Sequence, residues 1–155
     1  MTNTKQEQNY NNKVTEIVRV KQVISERPVS YETTITSSVL AKQLGIKEIG
    51  DEAQEVLLVV ALSTKNQINA IHRVFTGSIN QSVAHPREIF RSALLNNAAR
   101  ILIYHNHPSG DVLPSEADKQ FTKKIFKVGE LLGIDVLDHI IVSEDDAFSF
   151  RESQF

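Results

Sequence analysis

A short β-branched and aromatic run, Arg100-Ile101-Leu102-Ile103-Tyr104, leads straight into His105-Asn106-His107-Pro108-Ser109-Gly110-Asp111, and Ser115-Glu116-Ala117-Asp118 then opens an amphipathic helix. No other stretch constrains the fold as much, because a buried strand, a tight turn and a helix start are compressed into so few residues. Alternate residues of a strand share a face, so the rings of His105 and His107 leave the chain on the same side. Pro108, Ser109 and Gly110 turn the chain, and the first turn of the following helix can point back at both imidazoles. His105, His107 and Asp118 are thereby offered to one point in space. Three N/O ligands without a fourth protein ligand suit a catalytic zinc site, whose open position must hold water.

Each part of this stretch also has a structural reading. Ser115-x-x-Asp118 is the sequence of a capping box, in which the N3 carboxylate folds back on the N-cap backbone. Two alternating histidines at a strand end can be surface residues or satisfied core residues. The conjunction favours the metal, since an H-x-H pair, a Pro-Ser-Gly turn and an acidic helix start have little joint reason to occur in a structural loop. The cap and the ligand are compatible if Ser115 caps through its backbone geometry while Asp118 turns outward.

The pattern His105-x-His107-x7-Ser115-x-x-Asp118 resembles that of the JAMM (JAB1/MPN) metalloproteases, and His-Asn-His-Pro-Ser-Gly-Asp is similar to the RadC branch. Gly77, His85-Pro86-Arg87-Glu88-Ile89-Phe90, Asn97-Ala98-Ala99 and Leu137-Asp138-His139-Ile140-Ile141 extend the likeness over roughly residues 34 to 152. The resemblance implies a zinc-dependent hydrolase that cleaves a peptide or isopeptide bond with a metal-activated water. His105, His107 and Asp118 would bind Zn2+, the Ser115 hydroxyl would help hold the oxyanion, and a glutamate on an earlier strand would act as base. That glutamate maps best onto Glu55, with Glu52 the nearby competitor. Manganese and iron accept the same ligands. The chain has no room for the helix-hairpin-helix region that usually precedes the RadC metal domain, so a short form is expected.

Two other readings stay open. A DNA-repair-associated protein that touches nucleic acid is suggested by the family label and by Lys119, Lys123 and Lys127, which recur on one helix face. A formal net charge of −2 argues against a broad nucleic-acid footprint. A catalytically silent metal-binding module is the other. The letters His-Asn-His also suggest an HNH nuclease, but there the residues are dispersed over a longer unit.

Composition narrows the rest. The chain has 155 residues, 41% hydrophobic and 23% charged, enough for one domain with a proper core. With no cysteine, any site must be built from His, Asp and Glu. Neither a signal peptide nor a membrane span is indicated, so a cytoplasmic protein with a peptide or protein substrate is expected. Residues 1–12 read as a flexible polar tail and 13–155 as a single domain.

Within it, the partial alternation of Lys13 to Ser25 suggests an outer strand, broken at Arg27-Pro28. Val39 to Leu44 reads as a short helix capped by Ser37 or Ser38 and closed by Gly45. Glu55 to Leu62 reads as a strand buried on both faces, and Gln67 to Phe75 as its hairpin partner. His85-Pro86 starts a helix whose core stripe is Ile89, Phe90, Ala93 and Leu94. The helix after the motif should bury Phe121, Ile125, Val128 and Leu132 and end at Gly133. Strands near 134 and 147 complete an α/β fold, a mixed sheet with flanking helices. Periodicity does not choose its topology; the resemblance implies a JAB/MPN, cytidine-deaminase-like one. In the last full strand the polar pair Asp138 and His139 either makes hydrogen bonds inside the fold or supports the metal site from behind.

Overall fold

The computed structural model describes residues 11–77 and 84–154. Most of the expected tail, together with residues 78–83 and 155, lies outside the described residues. Five strands form one mixed sheet in the order β2-β1-β3-β4-β5: β1 (Val56–Leu62), β2 (Ile68–Thr76), β3 (Arg100–Asn106), β4 (Asp135–Val142) and β5 (Ala147–Ser149). β1 is antiparallel to both β2 and β3, β3 runs parallel to β4, and β5 returns antiparallel on β4. Helix α1 (Ser38–Ile49) covers one face, and α2 (Pro86–Leu95) with α3 (Glu116–Leu132) covers the other.

The continuous apolar character of β1 follows from this sandwich. Val56, Leu58, Val60 and Leu62 pack toward α1, whereas Leu57, Val59 and Ala61 pack under α2 and α3, and all seven are buried. β3 obeys the same alternation. Tyr104 enters the α1 side and donates its hydroxyl to the Ala41 carbonyl at 2.8 Å, while Ile101, Ile103 and then His105 point to the α3 side.

Several expectations need correction. No outer strand forms between Lys13 and Ser25; residues 11–29 carry no regular structure, and Val14, Ile17, Val18, Val20, Val23 and Ile24 are exposed. Alternation alone does not make a strand without a ladder to join. Beyond this run the chain is fastened where Arg27 gives two hydrogen bonds, of 2.6 and 2.7 Å, to the buried Glu48 carboxylate on α1. Leu94 and Leu132 face solvent at the ends of their helices, and Thr122 and Gly129 are buried on α3 with Ile125.

Gly45 does not end α1, which continues to Ile49 with Gly50 as its C-cap. The reason is tertiary: a Cβ on Gly45 would lie 2.4 Å from Tyr104 Cδ1. Glycine in mid-helix costs about 1 kcal/mol relative to alanine, and the Tyr104 ring occupies the space gained. Gly45→Ala should therefore destabilise the fold by about 1–3 kcal/mol despite its better helix propensity. A lowered urea midpoint measures this; an unchanged or raised midpoint contradicts it.

Candidate metal centre

Three elements bring the site together. β3 ends with His105 and Asn106, the turn that follows carries His107, and α3 opens with Asp118 in its first turn. The turn closes through a 3.0 Å bond from Gly110 N–H to the His107 carbonyl, with Gly110 at φ +90°, a conformation glycine adopts without a Cβ penalty. His105 Nε2 and His107 Nε2 then lie 3.0 Å apart, 3.3 Å from Asp118 Oδ1 and Oδ2 respectively.

The capping box and the site coexist. Ser115 Oγ accepts from Asp118 N–H at 3.0 Å, and Asp118 Oδ2 accepts from Ser115 N–H at 2.9 Å. Ser115 thus caps through its side chain as well as its backbone, and Asp118 still presents both oxygens to the histidines. A hydroxyl that accepts at the helix end keeps its own hydrogen to donate. Ser115 Oγ therefore satisfies the cap and retains a donor.

The far sides of the two rings decide which nitrogen carries a proton. His107 Nδ1 lies 2.7 Å from the Asp111 carbonyl, which only accepts, so Nδ1 is the protonated nitrogen. For His105 the reasoning runs through two more residues. Thr122 Oγ1 donates its single hydrogen to the Asp118 carbonyl at 2.7 Å, so across 2.6 Å it accepts from His139 Nδ1–H. Neutral His139 is left with an acceptor at Nε2, and His105 Nδ1–H donates to it at 2.8 Å. Burial pushes the His139 pKa well below the usual imidazole value, with the His105 charge acting the same way, which keeps His139 neutral.

In their neutral forms, then, both imidazoles aim an Nε2 lone pair at one point, and a carboxylate aims two oxygens there as well. Acceptors so close repel one another unless a proton or a metal ion lies between them. The separations of 3.0 and 3.3 Å are near the roughly 3.3 Å between ligand atoms held 2.0–2.1 Å from a tetrahedral centre. The three residues can therefore hold a metal ion, one ligand atom each, all within 4.8 Å of one another.

Sequence reasoning named the three residues that converge here but not Thr122, and it placed His139 only as an option. A bulge supplies the missing piece. The β3–β4 register shifts between Ile101 and Leu102, opposite Val136 and Asp138, and returns His139 to the α3 side beside Ile103. A one-residue slip turns a strand residue to the other face. His139 is stacked on Phe150 with centroids 4.9 Å apart, so its plane is fixed. His139→Phe, which keeps the stacking but removes both nitrogens, should weaken metal binding about 10–100-fold. Competition with a chromophoric chelator measures this; wild-type affinity would show that the chain of hydrogen bonds behind His105 is idle.

A cleft of about 340 Å³ lies against the triad, lined by Glu55, His105, His107, Pro108, Ser109, Ser115, Ala117 and Asp118. Glu55 stands directly before β1 and faces this cleft. Glu52, its competitor, is committed elsewhere, 2.6 Å from Arg73 in an ion pair.

The RadC-like JAB domain family matches residues 35–155, the part of the chain that builds the sheet, its helices and the triad. The chain belongs to this family. The RadC-like chain is 48% identical over 121 residues to a UPF0758 protein of Enterococcus faecalis, which covers 78% of this chain and 52% of that protein. It is 52% identical over 104 residues to a UPF0758 protein of Chlorobaculum tepidum, with 67% of this chain and 47% of that protein covered. A UPF0758 protein of Latilactobacillus sakei is 38% identical over 135 residues, or 87% of this chain and 60% of that protein. The chain spans about half the length of these curated relatives. Among the described residues, no helix of this RadC-like chain is long and apolar enough to cross a membrane.

Electrostatics give the RadC-like site a pH signature. Burial opposes ionisation of Asp118, but hydrogen bonds from His105 and His107, with that from Ser115 N–H, outweigh it and hold the carboxyl far below its usual 3.8. The bond to Asp118 raises the His107 pKa above 6.5 against the opposing effect of burial. A lowered carboxyl contributes stability above its unfolded pKa and loses it as pH falls. A raised imidazole contributes below its unfolded pKa and loses it as pH rises through the folded value. The metal-free protein should therefore draw most stability from this pair between pH 3.8 and 6.5. Metal affinity should move the other way and rise with pH, because binding expels the proton. Urea midpoints and metal titrations across pH read both trends; parallel trends would contradict them.

Proposed function

We propose that this chain is a zinc-dependent hydrolase that cleaves an amide bond in a peptide or isopeptide. The convergence of His105 Nε2, His107 Nε2 and Asp118 carries this reading, since both rings are fixed from behind with their lone pairs toward one point. His105, His107 and Asp118 would hold the ion at the wall of the cleft. A zinc ion bound there would supply Lewis acidity to a water molecule and to the scissile carbonyl.

The chain's own groups do the rest. Glu55, across the cleft, accepts the proton that the attacking water gives up and returns it to the leaving amine. As the carbonyl carbon becomes tetrahedral, its oxygen gains charge, and the Ser115 hydroxyl donates to it; one such donor contributes on the order of 10²- to 10³-fold. Asp118 is unsuited to carry the proton because its carboxyl is held far below the usual range. The division of labour between the two carboxylates follows from these surroundings. Incubation of the zinc-loaded chain with peptide and isopeptide libraries, with a chelated control, tests the reading. Chelator-sensitive cleavage at an amide bond supports it, and stoichiometric zinc without any turnover would make the chain a silent binding module.

A further inference from the structure

The residue between the two histidines is fully buried and leaves β3 on the face opposite to theirs. A buried amide must find partners for both its oxygen and its nitrogen. Asn106 finds all of them on one short segment. Its Oδ1 accepts from Val56 N–H at 2.7 Å, and its Nδ2 donates to the Gln54 carbonyl at 2.9 Å and the Glu52 carbonyl at 3.2 Å. These three bonds bracket Glu55 from both sides. Beyond Asn106, a further bond of 2.8 Å, from Gly77 N–H, fixes the Glu55 carbonyl itself.

β1 and β3 already pair side by side, and their register ends at Leu57 opposite His105. Past that pair β1 has no ladder partner on β3, although Val56 still pairs with Thr76 on β2, so the Asn106 side chain is what ties the Glu52–Val56 segment to the strand that leads into the histidines. We propose that Asn106 is the positioning residue that sets Glu55 against the His105–His107–Asp118 site. One side chain thereby links the backbone that carries two ligands to the backbone that carries the base. Placement within about 0.5 Å is what separates a working constellation from a loose one, and a clamp of three bonds between segments 50 to 54 residues apart in sequence supplies it without a flexible intermediary. This inference rests on the assignment of Glu55 as base, and it gives Asn106 no contact with substrate.

The test uses the full chain loaded with Co2+ alone and 13C-labelled at glutamate. Paramagnetic relaxation of the Glu55 carboxylate falls steeply with its distance from the ion, so it reads position rather than stability. In Asn106→Ala the Co2+ affinity should stay at the wild-type level, because no ligand is touched, while the relaxation of Glu55 is largely lost. Asn106→Ser, which keeps a buried hydroxyl too short for all three partners, should give the same loss and serves if the alanine variant fails to fold. Wild-type relaxation of Glu55 in the folded Asn106 variant would overturn the inference and leave the hydrolase reading intact. Failure of the wild-type chain to bind Co2+ would instead remove the hydrolase reading, and this inference with it.

Discussion

Asp118→Asn should lower the affinity for a divalent metal by more than about 100-fold, beyond the 10–100-fold typical of groups that only support a ligand. Asparagine is close to isosteric, and its side-chain oxygen can still accept from Ser115 N–H, so the cap on α3 should survive. The change removes the negative charge that faces both Nε2 atoms. It thereby separates the two roles of Asp118 that the sequence leaves in competition. Equilibrium dialysis against zinc, with urea unfolding in parallel, reads both. Lost metal with a nearly unchanged metal-free fold is the expected result at a pH where His107 is neutral. Retained metal would mean that the carboxylate serves the helix alone.

Glu55→Gln should leave zinc bound and reduce turnover by roughly 10²- to 10⁴-fold, the usual contribution of a positioned proton acceptor. The substitution preserves shape in the cleft but cannot take a proton. Glu52→Gln is the internal control: its exposed ion pair with Arg73 contributes about 0–1 kcal/mol to stability, and turnover should persist. The comparison is made under saturating zinc on an amide substrate identified by the library screen. If Glu52→Gln is the slow variant and Glu55→Gln the active one, the base has been misassigned.

Local chemistry made much of this legible. A short apolar run rich in β-branched residues suits a strand covered on both faces, and β1 is that. His105, His107 and Asp118 were legible because strand alternation and a helix start are geometric rules that hold without knowledge of the rest of the fold. What escaped depends on distant contacts. Gly45 reads as a stop signal, yet the aromatic ring of Tyr104, far along the chain, gives it a place inside α1. The apolar alternation between Val14 and Ile24 looks like a strand, but those side chains are exposed and no ladder forms on them. The face on which His139 emerges depends on a bulge, which alternation cannot anticipate.

Asn106 is the most instructive omission. It stands in the RadC-like string and in the accidental likeness to a nuclease signature, and neither assigns it a role. A polar residue between two inward-facing positions of a buried strand must itself be buried on the other face, and that alone calls for partners. The identity of those partners, Glu52, Gln54 and Val56, appears only when β1 and β3 lie side by side.

Metal content is the most direct test of the central claim. The purified full chain, equilibrated with zinc and passed through a desalting column, is analysed by mass spectrometry beside His105→Ala and His72→Ala, the latter an exposed histidine of β2. One zinc per chain in the wild type and in His72→Ala, with none in His105→Ala, is the predicted result. Equal zinc in all three, or none in the wild type, would contradict it.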